Sequence, residues 1–93
     1  MTGMFIFVCD RGHVIMGNAE SSKDMAFAFH LTKSVTIRNW GTTKGLAELI
    51  NGPTTSTKLD AVCERTLPLR SIIDIIHLTD KGIVQWGKAL VSE

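Results

Sequence analysis

Near its start the chain carries six consecutive apolar residues, Met4 to Cys9, whose side chains all have to be removed from water. Successive side chains of an extended strand point to opposite faces, so Phe5, Phe7 and Cys9 would line one face and the residues between them the other. Both faces then need a cover, which predicts a central strand buried on both sides. A run of six is too short to cross a bilayer, which takes about 20 residues.

The N-terminal segment also lacks the features of a signal peptide, since no basic residues precede the apolar run and no small-residue cleavage site follows it. We therefore expect a cytoplasmic protein. Cys9 and Cys63 are far apart and form no CxxC motif, so a disulfide scaffold or a zinc site is not expected.

Several further segments have the pattern of strands linked by hairpin turns. Asp10-Arg11-Gly12 is a turn sequence because glycine accepts positive φ, and residues 13–19 would return as the second strand. Residues 26–31 and 34–38 alternate with period two and are predicted as two strands joined by a turn at Thr32-Lys33. Residues 70–78 have helical spacing, but four isoleucines within five positions favour a strand.

Two short helices are predicted. The first spans residues 44–50, with apolar side chains at helical spacing and Asn51-Gly52-Pro53 as its end. The second begins at Thr79-Asp80, although Gly82 and Gly87 each cost it roughly 1 kcal/mol relative to alanine. Its apolar face would consist of Ile83, Val84, Trp86 and Leu90.

These elements predict one domain over residues 1–93 in the α+β class. It would be a small β-rich antiparallel sheet or partial barrel with one short central helix and a C-terminal helix. The segment after Pro53 is expected to be a loop followed by a short edge strand through Leu59. A chain of 93 residues has a modest core, and exposed sheet edges favour pairing between subunits, so a homo-oligomer is expected.

The charge balance limits the partners. Ten Lys+Arg against nine Asp+Glu give a net charge of +1, whereas proteins that bind nucleic acid or an anionic membrane by charge usually show a clear basic excess. We therefore expect no nucleic-acid partner and no membrane partner. Any basic site has to be local.

The densest polar and aromatic stretch, residues 38–46, has the composition of such a local site. A Gly/Thr-rich turn that runs into a helix N-terminus presents free backbone N–H groups to an anion. Arginine and lysine would neutralise phosphate, tryptophan would stack on a flat ring, and hydroxyls would add donors. The candidate ligand-binding residues are Arg38, Trp40, Thr42, Thr43, Lys44 and Gly45.

The same residues also have a purely structural interpretation. Trp40 would fill the core, Thr42 or Thr43 would cap the helix, and the glycines would form the turn. A second polar stretch, residues 51–58, either completes a pocket beside Trp40 or forms a solvated loop. The sequence alone leaves both questions open.

Catalysis is not expected, and neither is a cofactor or a metal. His13, His30 and His77 are scattered along the chain. Cys63 has charged neighbours, but no histidine is adjacent in sequence to act as its base. Common hydrolase and metalloprotease motifs are absent.

Residues 38–49, the Gly52-Pro53 turn and the stretch 57–60 together resemble a family of small uncharacterised proteins encoded by bacteriophages and prophages. The shared pattern is R-x-W-G-T-T-x-G-L-x-x-L, then G-P, then T-x-L-D, and it covers positions 35 to 76 best. Residues 80–93 are less typical of it.

The resemblance implies a phage or mobile-element origin, in which case the expected cytoplasm would be that of the host cell. In that context the leading hypothesis is a non-catalytic oligomeric protein that captures an anionic small ligand, such as a nucleotide or cyclic nucleotide signal, as a countermeasure to host defence. The alternatives are an interaction module or inhibitor that binds a host protein, and a virion accessory protein.

Overall fold

Six strands form one antiparallel sheet in the computed structural model, which describes residues 3–19, 28–43 and 45–91. A central 3₁₀ helix (Leu46–Asn51) and a C-terminal α-helix, α1 (Asp80–Val91), accompany the sheet, which is not closed. The predicted small β-rich α+β domain is confirmed. The strands are β1 (Gly3–Cys9), β2 (Val14–Ala19), β3 (Ala28–Asn39), β4 (Lys58–Leu59), β5 (Cys63–Pro68) and β6 (Ile72–His77).

Strand β1 lies between β2 and β6 and pairs antiparallel with both. Ile6 and Phe7 are adjacent in sequence and both are fully buried, each in a different apolar cluster. The prediction of a central strand covered on both faces is confirmed. Its hairpin to β2 turns through a short 3₁₀ segment (Asp10–Gly12), where Arg11 and Gly12 have φ values of 62° and 80°.

The predicted turn at Thr32-Lys33 is wrong, because β3 runs through this point without reversing. The register of β3 shifts here against both of its neighbours, β2 and β5, which indicates bulges. The Asn18 side-chain amide on β2 donates a hydrogen bond of 3.1 Å to the Thr32 hydroxyl. A bulge thus accommodates the polar pair that the sequence suggested as a turn. The predicted strand over 26–31 begins at Ala28, and residues 26 and 27 lie outside the described residues.

Strand β5 was not predicted, since its Cys-Glu-Arg-Thr sequence is mostly polar. It pairs with β3 alone and is therefore an edge strand, whereas the next strand, β6, pairs with β1 at the opposite edge. A flat sheet would separate these edges by four strand spacings, roughly 19 Å. The four residue steps from Pro68 to Ile72 span at most about 14 Å. The sheet must therefore curl, which agrees with the predicted partial barrel.

The two faces of the sheet carry separate apolar clusters. One face is covered by the central 3₁₀ helix and α1, and its buried residues are Ile6, Val14, Met16, Val35, Ile37, Leu49, Trp86 and Leu90. The other face holds the second cluster, whose buried residues are Phe7, Cys9, Ile15, Ala19, Leu31 and Leu67. The strand predicted within residues 70–78 is confirmed as β6.

Helix α1 begins where the sequence predicts. The Gly82 N–H donates a hydrogen bond of 3.1 Å to the Thr79 hydroxyl, which is the geometry of an N-cap. Trp86 and Leu90 are buried as expected, but Ile83 and Val84 are exposed, so that part of the predicted apolar face is wrong. The reason is that the buried side of α1 is the one that carries Gly82, Trp86 and Leu90, which recur every four residues, while Ile83 and Val84 lie off it. Among the described helices, none combines the length and apolar character needed to cross a bilayer.

Candidate functional site

The candidate site is the loop that follows β3, residues 40–43, which we call the Trp40 loop. The Trp40 side chain is 41% exposed, so it does not fill the core. The other tryptophan, Trp86, has that role and is fully buried. An exposed indole offers a flat face for stacking and a single N–H donor.

The backbone of the Trp40 loop is held by the polar stretch that follows the central 3₁₀ helix. The Thr57 hydroxyl donates to the Trp40 carbonyl at 2.7 Å, and the Thr54 hydroxyl donates to the Gly41 carbonyl at 2.6 Å. Gly41 has a φ of 65°, and a Cβ added there would lie 2.3 Å from the backbone of Ser56. Part of the stretch 51–58 therefore folds back against the loop. Its hydrogen bonds hold the backbone that carries the exposed indole.

Arg38 lies just before the loop, at an irregularity in the pairing of β3 with β4. Ile37 and Asn39 are both paired with β4 while Arg38 is the extra residue between them, and such bulges redirect a side chain. The Arg38 side chain is 74% exposed and its Nη2 donates to the Asp60 carboxylate. An ion pair this exposed contributes little to stability, about 0–1 kcal/mol.

The threonine and glycine candidates lie beside the central 3₁₀ helix. The Glu48 carboxylate accepts a hydrogen bond from the Thr43 N–H at 3.3 Å and lies 3.5 Å from the Thr43 hydroxyl. The Gly45 carbonyl accepts the Glu48 N–H at 3.2 Å. Thr42 is half-buried, and Lys44 lies outside the described residues. The chain's own carboxylate therefore binds the Thr43 N–H group that was expected to receive an external anion.

The structure adds four residues to the site that the pattern of residues 38–46 did not include. Two are acids, Asp60 and Glu48, and two are hydroxyl donors, Thr54 and Thr57. The hydroxyls belong to the polar stretch already noted in the sequence, at positions three apart. No local pattern indicates Asp60, because its contact with Arg38 depends on the return of the chain through β4, whereas Glu48 lies only five residues after Thr43.

A second polar cluster lies between β3 and β5. Arg65 donates from Nε to the Ser34 hydroxyl at 2.8 Å and from Nη2 to the Cys63 sulfur at 3.0 Å. Ser34 is fully buried and donates to the Cys63 carbonyl at 2.9 Å. His30 interacts separately with the Glu64 carboxylate at 2.6 Å. This arrangement satisfies a buried hydroxyl at the bulge of β3.

The two cysteines differ in their surroundings. Cys63 is exposed, and Cys9 is buried. Burial, reinforced by the negative charge of Asp10 and opposed by the positive charge of Arg65, raises the pKa of the Cys9 thiol above its ordinary value. Within residues 3–19, 28–43 and 45–91, no group of three histidine, cysteine or acidic side chains is placed to hold a metal ion.

Every buried side-chain nitrogen and oxygen in the described part of the chain has a hydrogen-bond partner. A ligand at this site would therefore use exposed groups, and at the Trp40 loop these include Trp40 and Arg38. Comparisons with protein-family models, curated proteins and solved structures give no match.

Proposed function

We propose that this protein is a non-catalytic binding protein whose recognition surface is the Trp40 loop, and that its ligand combines a flat ring with an anionic group, as a nucleotide or cyclic nucleotide does. Trp40 would stack on the ring, and Arg38 would bind the anion. Lys44, which follows the loop in sequence, would add a second positive charge.

The observation that carries this proposal is the exposure of the Trp40 indole on a backbone that two threonine hydroxyls hold in place. A tryptophan that is 41% exposed contributes less to core packing than the buried Trp86 does. A fixed backbone lowers the entropy lost when a ligand binds, because the aromatic surface is already in place. Stacking of a base on an aromatic side chain contributes about 1–3 kcal/mol.

Two donors close to Trp40 in the chain have geometry that suits an oxyanion, and each now binds a carboxylate of the chain that an anionic ligand would have to displace. They are the Arg38 guanidinium, which binds Asp60, and the Thr43 N–H, which binds Glu48. Because the Arg38 ion pair is exposed, a phosphate that replaces Asp60 gives up little stability. The Thr43 N–H is a less favourable contact, since Glu48 would have to move.

Isothermal calorimetry with mono-, di- and cyclic nucleotides tests the proposal. We expect one or more of them to bind with a Kd below 1 mM, and we expect Trp40→Ala and Arg38→Gln each to weaken that binding about tenfold. Arg70→Gln is the matched control, because Arg70 is also exposed but lies on the connection between β5 and β6. If no nucleotide binds more tightly than millimolar, the ligand class is wrong.

A second candidate function is docking to a protein, in line with an inhibitor of a host protein. It is favoured by the mixed charges on the segments that adjoin Trp40, where Arg38 pairs with Asp60, Lys58 lies opposite Asn39 in the sheet, and Glu48 contacts Thr43. Tryptophan and arginine are the residues most enriched in the energetic centres of protein interfaces. In this case nucleotides would leave the melting temperature unchanged, while Trp40→Ala would abolish capture of a defined partner.

The remaining proposals concern origin and assembly. The resemblance to phage-encoded proteins makes the nucleotide signals of bacterial defence the first ligands to test. A virion accessory protein would instead copurify with phage particles. Sedimentation equilibrium with and without ligand tests the proposed homo-oligomer, in which a second subunit would supply the other wall of the site.

A further inference from the structure

Helix α1 is attached to the central 3₁₀ helix by hydrogen bonds to the carbonyls at the end of that helix. The Trp86 indole N–H donates to the Leu49 carbonyl at 2.8 Å, and the Thr79 N–H donates to the Ile50 carbonyl at 3.0 Å. The last carbonyls of a helix have no partner within it. Thr79, the N-cap of α1, supplies a partner to the Ile50 carbonyl, and Trp86 adds a second donor to the Leu49 carbonyl, which also accepts the Gly52 N–H at 3.0 Å.

The two helices also approach too closely for side chains at the contact. A Cβ added to Gly82 would lie 1.8 Å from the Ile50 carbonyl oxygen. On the other side, a Cβ on Gly52 would lie 2.6 Å from the Gln85 Cβ. Gly87, in the same α-helix, has open space at the corresponding position. Gly82 is therefore a packing residue, which explains why the helix tolerates it.

The central 3₁₀ helix in turn holds the Trp40 loop. Glu48 lies within this helix, and its carboxylate accepts the Thr43 N–H. The chain leaves the helix at Gly52, and Thr54 and Thr57 then reach back to the Gly41 and Trp40 carbonyls. A displacement of the central 3₁₀ helix would therefore move the contacts that fix the loop.

The strands do not depend on α1 for their hydrogen bonds, since β1, β2, β3 and β6 pair with one another. A 12-residue helix with two glycines is unstable when it is not packed. Segments that rest on few tertiary contacts open at a lower free energy than the whole domain. Helix α1 and the central 3₁₀ helix contribute Leu49, Trp86 and Leu90 to the core on one face of the sheet, so opening of this segment exposes these side chains while the strands keep their pairing.

We propose that α1 and the central 3₁₀ helix pack as one unit that fixes the position of the Trp40 loop. The affinity of the loop for a ligand would then depend on whether α1 is packed against the central 3₁₀ helix. The part that concerns a ligand rests on the proposed function, whereas the coupling between α1 and the loop can be tested without one. Coupling is reciprocal, so a ligand bound at Trp40 should in turn hold α1 in place.

Amide hydrogen exchange on the full chain tests the coupling, with Gly82→Ala as the variant and Gly87→Ala as its matched control. The reporters are the Gly41 and Thr43 amides in the loop, Glu48 and Gly52 at the central 3₁₀ helix, and Ile6 and Ile15 in the sheet. We expect Gly82→Ala to raise exchange tenfold or more in the loop and the central 3₁₀ helix while the sheet keeps its protection. Gly87→Ala should leave all of these amides protected.

Three outcomes would overturn the proposal. They are faster exchange at the central 3₁₀ helix with no change in the loop, equally faster exchange throughout the sheet, and no change in any reporter. Trp86→Phe is a second variant that keeps most of the side-chain volume and removes the hydrogen bond to Leu49. It should reproduce the pattern of Gly82→Ala.

Calorimetry on the same variants separates this proposal from the proposed function. If the wild-type protein binds a nucleotide, Gly82→Ala should weaken that binding about as much as Trp40→Ala, and Gly87→Ala should not. Equal affinity of Gly82→Ala and wild type would overturn control by α1 while leaving the proposed function intact. Absence of nucleotide binding in the wild type would overturn the proposed function, while the exchange pattern would still decide the coupling.

Discussion

A Cβ atom on Gly41 would lie 2.3 Å from the carbonyl carbon of Ser56, so the Trp40 loop and the turn after the central 3₁₀ helix meet backbone to backbone. Ser56 also donates its N–H to the Thr54 hydroxyl at 3.1 Å, and that hydroxyl donates to the Gly41 carbonyl. The residue at position 41 therefore sets how closely the two segments approach.

We predict that Gly41→Ala lowers the free energy of unfolding by roughly 2–4 kcal/mol, because alanine adds strain at positive φ and also forces the two backbones apart. Gly12→Ala is the matched control, since Gly12 also has positive φ but has open space around it. That variant should lose only about 1 kcal/mol. Urea denaturation measures both, and equal losses would mean that the contact with Ser56 contributes nothing.

The two tryptophans should differ on substitution. Trp40→Ala should cost about 1–3 kcal/mol because the 41% exposed side chain still buries part of its surface, whereas Trp86→Ala should cost more, about 3–5 kcal/mol, through the cavity and the lost hydrogen bond. Acrylamide quenching of fluorescence provides an independent measure. Emission lost in Trp40→Ala should be the readily quenched part, and a large loss of stability in that variant would instead place Trp40 in the core.

The two cysteines should react at very different rates. Cys63 is exposed and Cys9 is buried, so an aromatic disulfide reagent should titrate one thiol in the native protein and two in denaturant. Cys63→Ala should remove the native reaction, and Cys9→Ala should leave it unchanged. Two equally fast thiols in the folded protein would contradict the buried position of Cys9.

Stability should decline at alkaline pH because of Cys9. The pKa of this thiol is raised in the folded state, chiefly by burial and further by the charge of Asp10. As pH rises, the thiol therefore ionises in the unfolded chain before it does so in the folded protein, at about pH 8.5. The contribution of Cys9 is fully present below that pH and is lost as pH rises through the folded pKa. Thermal melting from pH 7 to 10 should show a shallower decline for Cys9→Ala than for wild type or Cys63→Ala.

Local patterns in the sequence determined the strands and helices with the clearest periodicity. The double-sided apolar run of β1 required burial on both faces, and Thr79 followed by Asp80 marked the start of α1. The end of the central 3₁₀ helix at Gly52 followed from the Asn-Gly-Pro sequence, and Gly52 has a φ of 116°. In each case the physical cause acts over a few neighbouring residues.

Only the tertiary structure decided which residues meet across the chain. The polar strand β5 forms because β3 offers it hydrogen bonds, and Thr32-Lys33 becomes a bulge because β2 and β5 both pair with β3 across it. Asp60 reaches Arg38 only once β4 is paired with β3. Gly82, a weakness in an isolated helix, is required where α1 approaches the Ile50 carbonyl. These features depend on distances between segments remote in sequence, which local periodicity does not encode.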